Sequence, residues 1–309
     1  MSDKNPKVLM LTPSYDPIIG GTETVVKNLA IHLNKIGVET DVMTFNMDKK
    51  WHPRWKWEIR EDDGFKVYRI PAFNPFKKML NPMGLFFKVN VIPNPSFRKI
   101  VKEYDILHFH DDVDLTFPLF SCFVKKLKVF SCHTLDVTFN TYKKSFLKHV
   151  FRNVADVYIS GCKSTAALLT KLGIPEDKIG VLYYGVDADR YVPDMKRKED
   201  NLVLCASRIE PRKGIDVLLK SLQYIQTPIH LAILGVENKS NYFNEIKRMV
   251  NVENKKGKHK ITFLLTVSGD KLIPWYQRAS IFVTPHIYNP VFPVVNPEAL
   301  SCGTPIVGT

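Results

Sequence analysis

The sequence lacks any apolar run of the roughly 20 residues that a membrane-spanning helix requires. Residues 1–12 do not resemble a secretory signal peptide either, because the apolar stretch after the charged start is only as long as one strand. These absences exclude a helical membrane protein and disfavour a secreted one. We therefore expect a cytoplasmic protein, either soluble or peripheral at the inner face of a membrane.

Cysteine is scarce and irregularly spaced. The five cysteines (Cys122, Cys132, Cys162, Cys205, Cys302) form no Cys-x-x-Cys pair and no Cys/His spacing typical of zinc sites. Four of the five lie in apolar or strand-like surroundings. An odd, scattered set disfavours a disulfide framework. We expect buried free thiols in a reducing compartment and no metal site.

Acidic residues are outnumbered: 31 Asp and Glu stand against 44 Lys and Arg, for a formal net charge of +13. With 45% hydrophobic and 24% charged residues the composition is that of an ordered globular protein. An excess of positive charge favours an anionic partner, which leaves nucleotide phosphates, nucleic acid or an anionic membrane surface open. The length of 309 residues suggests two domains of about 150 each.

Residues 201–222 combine three features of an anion site. An apolar run at 202–206 predicts a buried strand, residues 207–214 carry Arg208, Arg212 and Lys213, and a helical repeat of apolar residues follows Gly214. Arginine and lysine side chains offer charge-assisted hydrogen bonds, and amides at a helix start also attract anions. A solvated surface turn is the alternative interpretation of this segment alone.

Strand and helix patterns alternate along the whole chain, which predicts parallel sheets covered by helices. We assign residues 1–187 to an N-terminal domain, 188–200 to a polar linker and 201–309 to a C-terminal domain. Near the start, a strand at 7–12 and a helix from about residue 22 flank Gly20 and Gly21. Adjacent glycines before a helix allow a ligand to approach the backbone, although a plain turn would look the same.

Histidines end two of the predicted N-terminal strands. His108 and His110 share one face of a strand and precede Asp111 and Asp112, a combination that raises a metal site as the less favoured interpretation. His133 follows the strand at 128–132, at the sheet edge where open α/β sheets bind ligands.

Two further segments mix basic and apolar residues. Residues 48–63 form a loop with Trp51, Trp55 and Trp57, which could stack on nucleic-acid bases, lie at a membrane interface or pack on the domain. Residues 76–88 form an apolar patch beside lysines, which suits either a core helix or shallow binding to anionic lipid.

Four motifs together resemble glycosyltransferase family 4. They are Ser-Arg-Ile-Glu-Pro-Arg-Lys-Gly at 207–214, the strand–Gly-Gly–helix unit, Gly-Val-Asp at 185–187, and Glu298-Ala299 followed by Gly303 and Pro305. Two departures accompany them. Tyr184 replaces the family's Asn, and Pro290 replaces the first Glu of the family's paired glutamates.

The resemblance implies a GT-B fold, with two Rossmann-like domains facing a cleft, and transfer of a sugar from a nucleotide diphosphate sugar to an acceptor hydroxyl with retained anomeric configuration. It implies that Arg208 and Lys213 hold the donor diphosphate, that Glu298 starts a helix and accepts ribose hydroxyls, and that His133 lies beside the reacting sugar. Gly21 would offer an amide to the donor, and no metal cofactor is implied.

The resemblance also places Gly20 and His110 on the acceptor side. A glycan or lipid-linked glycan would suit the basic, apolar patch, and a cell-envelope role follows from it. Members of the family continue beyond the position of Thr309, so we expect the second domain to be truncated. The alternatives are an inactive relic that binds nucleotide or a partner without turnover, and, less favoured, a nucleic-acid-binding protein.

Overall fold

The computed structural model describes residues 5–18, 20–48, 52–73, 91–110, 114–143, 147–235, 240–265, 267, 269–288 and 292–309. Within these ranges no helix is long and apolar enough to cross a membrane. Predictions on Trp51, residues 76–88, Asp111, Asp112 and Pro290 fall outside the described residues.

Two compact units make up the chain, Met1–Tyr183 and Tyr184–Thr309. Residues 188–200, assigned from sequence to a linker, group with the second unit. Tyr191 is buried there, and the Lys198 ammonium donates a 2.8 Å hydrogen bond to the carbonyl of Ala279. The domain limits given above stay a prediction.

The first unit is built on an eight-stranded sheet in the order β10-β9-β8-β7-β1-β2-β4-β3. All neighbours are parallel except β3 and β4, and β5 and β6 form a separate antiparallel pair. The strands are β1 (Val8–Thr12), β2 (Thr40–Phe45), β3 (Glu58–Asp62), β4 (Phe65–Ile70), β5 (Ala72–Phe73), β6 (Ile92–Pro93), β7 (Ile106–His110), β8 (Leu127–Cys132), β9 (Val157–Ser160) and β10 (Ile179–Val181).

Helices pack on this sheet because both of its faces are apolar. Along β1, Leu9 and Leu11 belong to one buried cluster and Val8 and Met10 to another, as the alternating side chains of a strand require. The described helices are α1 (Gly21–Lys35), α2 (Phe97–Val101), α3 (Thr116–Phe120), α4 (Leu135–Lys143), α5 (Leu147–Asn153) and α6 (Lys163–Lys171), with a 3₁₀ turn at Glu176–Lys178.

The second unit repeats this plan with a five-stranded parallel sheet in the order β13-β12-β11-β14-β15. Leu204 and Cys205 of β11 again belong to different buried clusters on opposite faces. The strands are β11 (Glu199–Ala206), β12 (His230–Gly235), β13 (Lys260–Leu265), β14 (Ala279–Thr284) and β15 (Ile306–Gly308). The described helices are α7 (Ile215–Ser221), α8 (Asn241–Lys256), α9 (Ile273–Arg278) and α10 (Val295–Ser301). The described residues of this unit also form 3₁₀ turns at Met195–Arg197, Pro211–Lys213, Leu222–Tyr224 and Gly269–Leu272.

The predicted alternation of strands and helices is confirmed, and two local predictions are wrong. The tryptophan-bearing loop contains strand β3, which pairs antiparallel with β4 through a hairpin at Asp63 and Gly64, whose φ angles are 47° and 85°. Positive φ at two successive residues is what a tight hairpin turn needs, and Asp-Gly supplies it. Trp57 packs on the core of this unit, whereas Trp55 is exposed.

The second error concerns the thiols. Cys132, Cys205 and Cys302 are buried as expected, but Cys122 is exposed and Cys162 is half-buried. Cys122 lies in a turn just after α3, and Cys162 lies just before the first turn of α6. Both positions are connections at element ends, where surrounding apolar residues do not ensure burial.

Candidate functional site

The strongest candidate is the segment that joins β11 to α7 in the second unit. After β11 the amide of Ser207 donates to the carbonyl of Leu234, and the chain then forms the 3₁₀ turn Pro211–Lys213. Helix α7 is only seven residues long, so basic side chains rather than a helix dipole must carry any anion binding here. We call residues 207–214 the basic loop.

Gly214 fixes the shape of the basic loop. Its φ of 65° lies in the left-handed region, and a Cβ at this position would lie 1.8 Å from the carbonyl oxygen of Pro285. A side chain is therefore excluded both by backbone conformation and by contact with the segment after β14. The amide of Ile287 also donates to the carbonyl of Arg212, at 3.2 Å. The basic loop is thus attached to the segment that follows the neighbouring strand.

Glu210 orients two arginines of the basic loop. Its carboxylate accepts from the Arg212 Nε at 2.8 Å and lies 3.2 Å from the Arg208 Nη1. Burial opposes ionisation of this carboxyl, but the Arg212 hydrogen bond and the charges of Arg208, Arg212 and Lys213 outweigh it and lower its pKa. Three cations against one carboxylate leave the loop positive, and 54% of the Arg208 side chain is exposed.

Lys213 is held by two residues that follow β14. Its ammonium lies 3.1 Å from the Tyr288 hydroxyl and 3.5 Å from Nε2 of His286, and the guanidinium of Arg212 lies 5.3 Å from the centroid of the Tyr288 ring. Burial first, then the charges of Lys213 and Arg212, lower the pKa of His286 to about 4. A neutral imidazole can accept a hydrogen bond from Lys213 at neutral pH.

In the first unit, histidines on neighbouring strands meet at the carboxyl edge of the sheet. The register pairs His110 of β7 with Ser131 of β8, so His133 comes close: its Nε2 lies 3.1 Å from Nδ1 of His110. The two rings are stacked with centroids 5.3 Å apart, and the His108 ring lies 4.1 Å from that of His110. Nε2 of His108 lies 2.8 Å from the Ser131 hydroxyl.

These histidines are neutral. Burial lowers the pKa of His108 to about 4, and burial together with the neighbouring imidazoles lowers the pKa of His110 and His133 well below the usual value. Nε2 of His110 is buried without a hydrogen-bond partner in the described part of the chain. Across those same residues no group of three or more His, Cys, Asp or Glu is arranged to hold a metal ion.

Gly20 and Gly21 lie at the start of α1. Gly20 precedes the helix with an extended backbone, and the amide of Thr24 donates to its carbonyl at 3.1 Å. Gly21 is the first helical residue, and a Cβ there would meet nothing within 4 Å among the described atoms. Packing within the described fold therefore does not account for a glycine at position 21, and the surface beside it is open.

Glu298 is buried within the second unit. It is the fourth residue of α10, which begins at Val295, so it lies in the first turn of the helix. Its carboxylate accepts from the Tyr276 hydroxyl at 2.9 Å and from the Tyr191 hydroxyl at 3.2 Å. Burial raises the pKa of this carboxyl, and the two tyrosine hydrogen bonds oppose that rise.

The structure therefore brings together two sets of predicted site residues. His110 and His133 are in contact in the first unit, and Arg208 and Lys213 share the basic loop of the second. Sequence reasoning missed Tyr288 and His286, whose only signal was their position just after a buried strand. It also missed the pairing of Glu298 with Tyr191 and Tyr276.

The fold is shared with solved glycosyltransferase structures. Sucrose-phosphate synthase from Thermosynechococcus elongatus superposes with a TM-score of 0.73 at 18% identity, over 98% of this chain and 81% of that one. Anabaena HepE, solved in complex with UDP and glucose, superposes with a TM-score of 0.70 at 16% identity, over 98% of this chain and 80% of that one. The architecture is that of the GT-B glycosyltransferases.

Sequence similarity then gives the family. The family model described as Glycosyltransferase Family 4 matches residues 19–190, and the model for glycosyl transferases group 1 matches residues 191–309. The D-inositol 3-phosphate glycosyltransferase of Xylanimonas cellulosilytica is 26% identical, over 98% of this chain and 80% of that protein. The chain belongs to glycosyltransferase family 4, and its function is glycosyl transfer.

Proposed function

We propose that the chain moves a sugar from a nucleotide diphosphate sugar to a hydroxyl of a glycan or lipid-linked glycan, with retention of anomeric configuration. In this reaction the bond between the anomeric carbon and the diphosphate oxygen breaks, and its electron pair leaves with the diphosphate. A bond from the acceptor oxygen to the anomeric carbon forms on the same face, and the acceptor proton passes to the departing diphosphate.

The basic loop is the observation that carries this proposal. Arg208 is available at the surface of the second unit, and Lys213 is held on the same loop by Tyr288 and His286. Cations already placed where negative charge develops stabilise a departing diphosphate without reorganisation, so they take the part that a divalent metal plays elsewhere. The UDP in the HepE structure is consistent with a nucleotide-dependent reaction in this fold.

The histidines of the first unit suit contact with neutral hydroxyl groups. Because His110 and His133 are uncharged and hydrogen-bonded to each other, one donates and the other accepts, which fixes both rings. We assign His133 to orienting the sugar or acceptor, His110 and Gly20 to the acceptor, and the backbone of Gly21 to the donor.

Glu298 remains our proposed ribose ligand, with a condition that the structure adds. Both of its carboxylate oxygens already accept tyrosine hydrogen bonds, so a ribose hydroxyl must either share an oxygen or displace Tyr191 or Tyr276. A carboxylate oxygen has two lone pairs, and sharing is compatible with its chemistry.

A cytoplasmic location at an anionic membrane surface also belongs to this proposal. The net charge of +13 supports attraction to anionic lipid, in line with a lipid-linked acceptor. Flotation of the chain with vesicles of neutral lipid, with and without anionic lipid, tests it. If the chain does not float with anionic vesicles at low salt, the proposed membrane association is contradicted.

Turnover tests the reaction itself. The full chain is incubated with UDP-, GDP- and ADP-glucose and a panel of glycan acceptors, and the product is examined by proton NMR for its anomeric coupling. We expect a glycoside that keeps the α configuration of the donor, made by the wild type and reduced at least about 100-fold in Arg208→Ala. An inverted product, or transfer that is unchanged in Arg208→Ala, would refute the mechanism.

A further inference from the structure

A concave site lies within the first unit, and half of its ten lining residues come from the tryptophan-bearing segment 48–63. It is a cavity of about 570 Å³ beside the carboxyl ends of β2 and β4, where Asn46 follows β2 and Arg69 is the penultimate residue of β4. The Asp16-Pro17 segment after β1 closes another side. This volume is in the range of small-molecule sites, and the carboxyl edge of a parallel sheet is where such sites form.

Arg69 is the distinctive residue of this cavity. It is 6% exposed. Its backbone is part of the sheet, in register with Thr44 of β2, yet its guanidinium makes neither a hydrogen bond nor an ion pair with a described residue. Burial lowers the pKa of its guanidinium, with the charge of Glu58 opposing this effect. A buried cation without a partner is costly, which is why buried arginines are normally paired.

The other charged residues of the cavity divide into two groups. Arg60 is paired with Glu58, and Asp48 lies 3.2 Å from Nδ1 of His52. These four residues therefore form two pairs within the cavity lining. All four line the cavity, and each is already partnered by another of its lining residues.

Arg54 and Asp16 form the second group. Both are exposed at the cavity, and neither side chain forms an ion pair with a described residue. The cavity therefore offers two guanidinium groups, one buried and one at the rim, for an anion, and a carboxylate that can accept from hydroxyl groups.

We propose that this cavity binds a hydroxylated small molecule through a phosphate or carboxylate group, with Arg69 and Arg54 as its anion ligands. The cavity lies in the first unit, which carries the residues we assign to the acceptor, Gly20 and His110. On the proposed function, on which this step rests, the bound molecule is therefore the acceptor of the transferred sugar. Phosphate and carboxylate each present two oxygen atoms on a single central atom. A guanidinium group can bind such a pair through two parallel hydrogen bonds. A neutral sugar leaves the Arg69 charge uncompensated, so the site discriminates against it.

Calorimetric titration of the full chain with three ligands on one scaffold tests this site. The ligands are glucose, glucose 6-phosphate and glucuronate. All are titrated in an Arg208→Ala, Lys213→Ala background, which removes the two cations assigned to the donor diphosphate. We expect glucose 6-phosphate, glucuronate or both to bind at least about tenfold more tightly than glucose. The relative strength of the two anions distinguishes a phosphate site from a carboxylate site.

Variants locate the binding. Arg69→Met should weaken anion binding at least about tenfold, and Arg54→Gln should weaken it by about three- to tenfold. Arg54 is exposed, so its variant keeps the test valid if Arg69→Met fails to fold. Arg248→Gln, on an exposed face of α8 in the other unit, removes the same charge and should leave the affinity unchanged.

Three results would overturn the proposal. The first is equal affinity for glucose and both anions. The second is no detectable binding of either anion at about 20 mM, a concentration high enough to detect even millimolar dissociation constants. The third is an anion affinity that neither arginine variant changes. Because the two cations assigned to the donor diphosphate are removed throughout, none of these results bears on donor binding, and failure of the proposed function would appear separately in the nucleotide experiments.

Discussion

The Tyr288 hydroxyl accepts a hydrogen bond from the ammonium of Lys213 at 3.1 Å, and the centroid of the Tyr288 ring lies 5.3 Å from that ammonium. One aromatic residue therefore hydrogen-bonds the lysine assigned to the donor diphosphate. The position of that lysine depends on a segment 75 residues away in the sequence.

Removal of the Tyr288 hydroxyl should reduce donor use without unfolding the chain. In Tyr288→Phe the ring is kept but one hydrogen bond to a charged group is lost, an interaction of about 1.5–3 kcal/mol at most. We expect kcat/KM for the donor to fall roughly tenfold at an unchanged melting temperature. Tyr224→Phe, at a tyrosine that is 76% exposed, is the matched control and should have no effect. Equal rates in the two variants would contradict the positioning role.

Gly214 should be irreplaceable for reasons of space as well as conformation. Gly214→Ala and Gly257→Ala both place a side chain at positive φ, 65° and 73° respectively, but only the first brings a Cβ against backbone. We expect Gly257→Ala to cost about 1–2 kcal/mol of unfolding free energy, and Gly214→Ala to cost at least about 2 kcal/mol more because the Pro285 segment must move. Chemical denaturation followed by circular dichroism compares them. Similar losses in both variants would show that the contact with Pro285 is unimportant.

Stability should fall as the pH drops below neutrality, because histidines are buried in their neutral form. The pKa of His108 is about 4 when folded against 6.5 ordinarily, so the unfolded chain binds more protons than the folded one. The contribution of His108 is fully present above about pH 6.5 and is lost progressively as the pH falls toward 4. Between pH 7 and pH 5 this residue alone should account for about 2 kcal/mol.

Urea denaturation at pH 7, 6 and 5 measures this effect. His108→Gln removes one titrating group and should flatten the pH dependence by that amount, even though it also loses packing against His110. His149→Gln, at an exposed position, serves as the control. An unchanged pH dependence in His108→Gln would mean that the buried imidazole does not govern acid stability.

Glu298 can be assigned by comparing two ligands. If its carboxylate contacts ribose, Glu298→Gln should weaken UDP binding about tenfold and leave inorganic pyrophosphate, which has no ribose, unaffected. If it only secures Tyr191 and Tyr276, the variant should lower the melting temperature and affect both ligands alike. A parallel loss for both ligands would remove Glu298 from the donor site.

Sequence patterns predicted much of this architecture because its local signals are strong. Buried strands such as β1 and β11 appear as continuous apolar runs, and the basic loop lies between a clear strand and a clear helix. The contacts of Lys213 could not be predicted, because they require β14 to lie beside β11, and sheet order is not encoded in local pattern. Strand β3 was hidden by its charges, although the Asp63-Gly64 turn was a readable signal.

Arg69 was missed for a different reason. It lies in a six-residue strand whose apolar neighbours predict burial correctly, and an arginine in such a strand is ordinarily taken to face solvent. Only the structure shows that it is buried beside a cavity. Similarly, Glu298 matched the family pattern, but its two tyrosine partners come from residues 22 and 107 positions away.

The most direct test of the central claim, that the basic loop holds the diphosphate of a nucleotide donor, is a thermal-shift titration of the full chain with UDP, GDP and ADP. Ligands that bind the folded state raise the melting temperature by mass action. We predict a rise that is selective for one base, is lost in Arg208→Ala and is retained in the exposed control Arg248→Ala. No rise with any nucleotide, or an equal rise in Arg208→Ala, would contradict the claim.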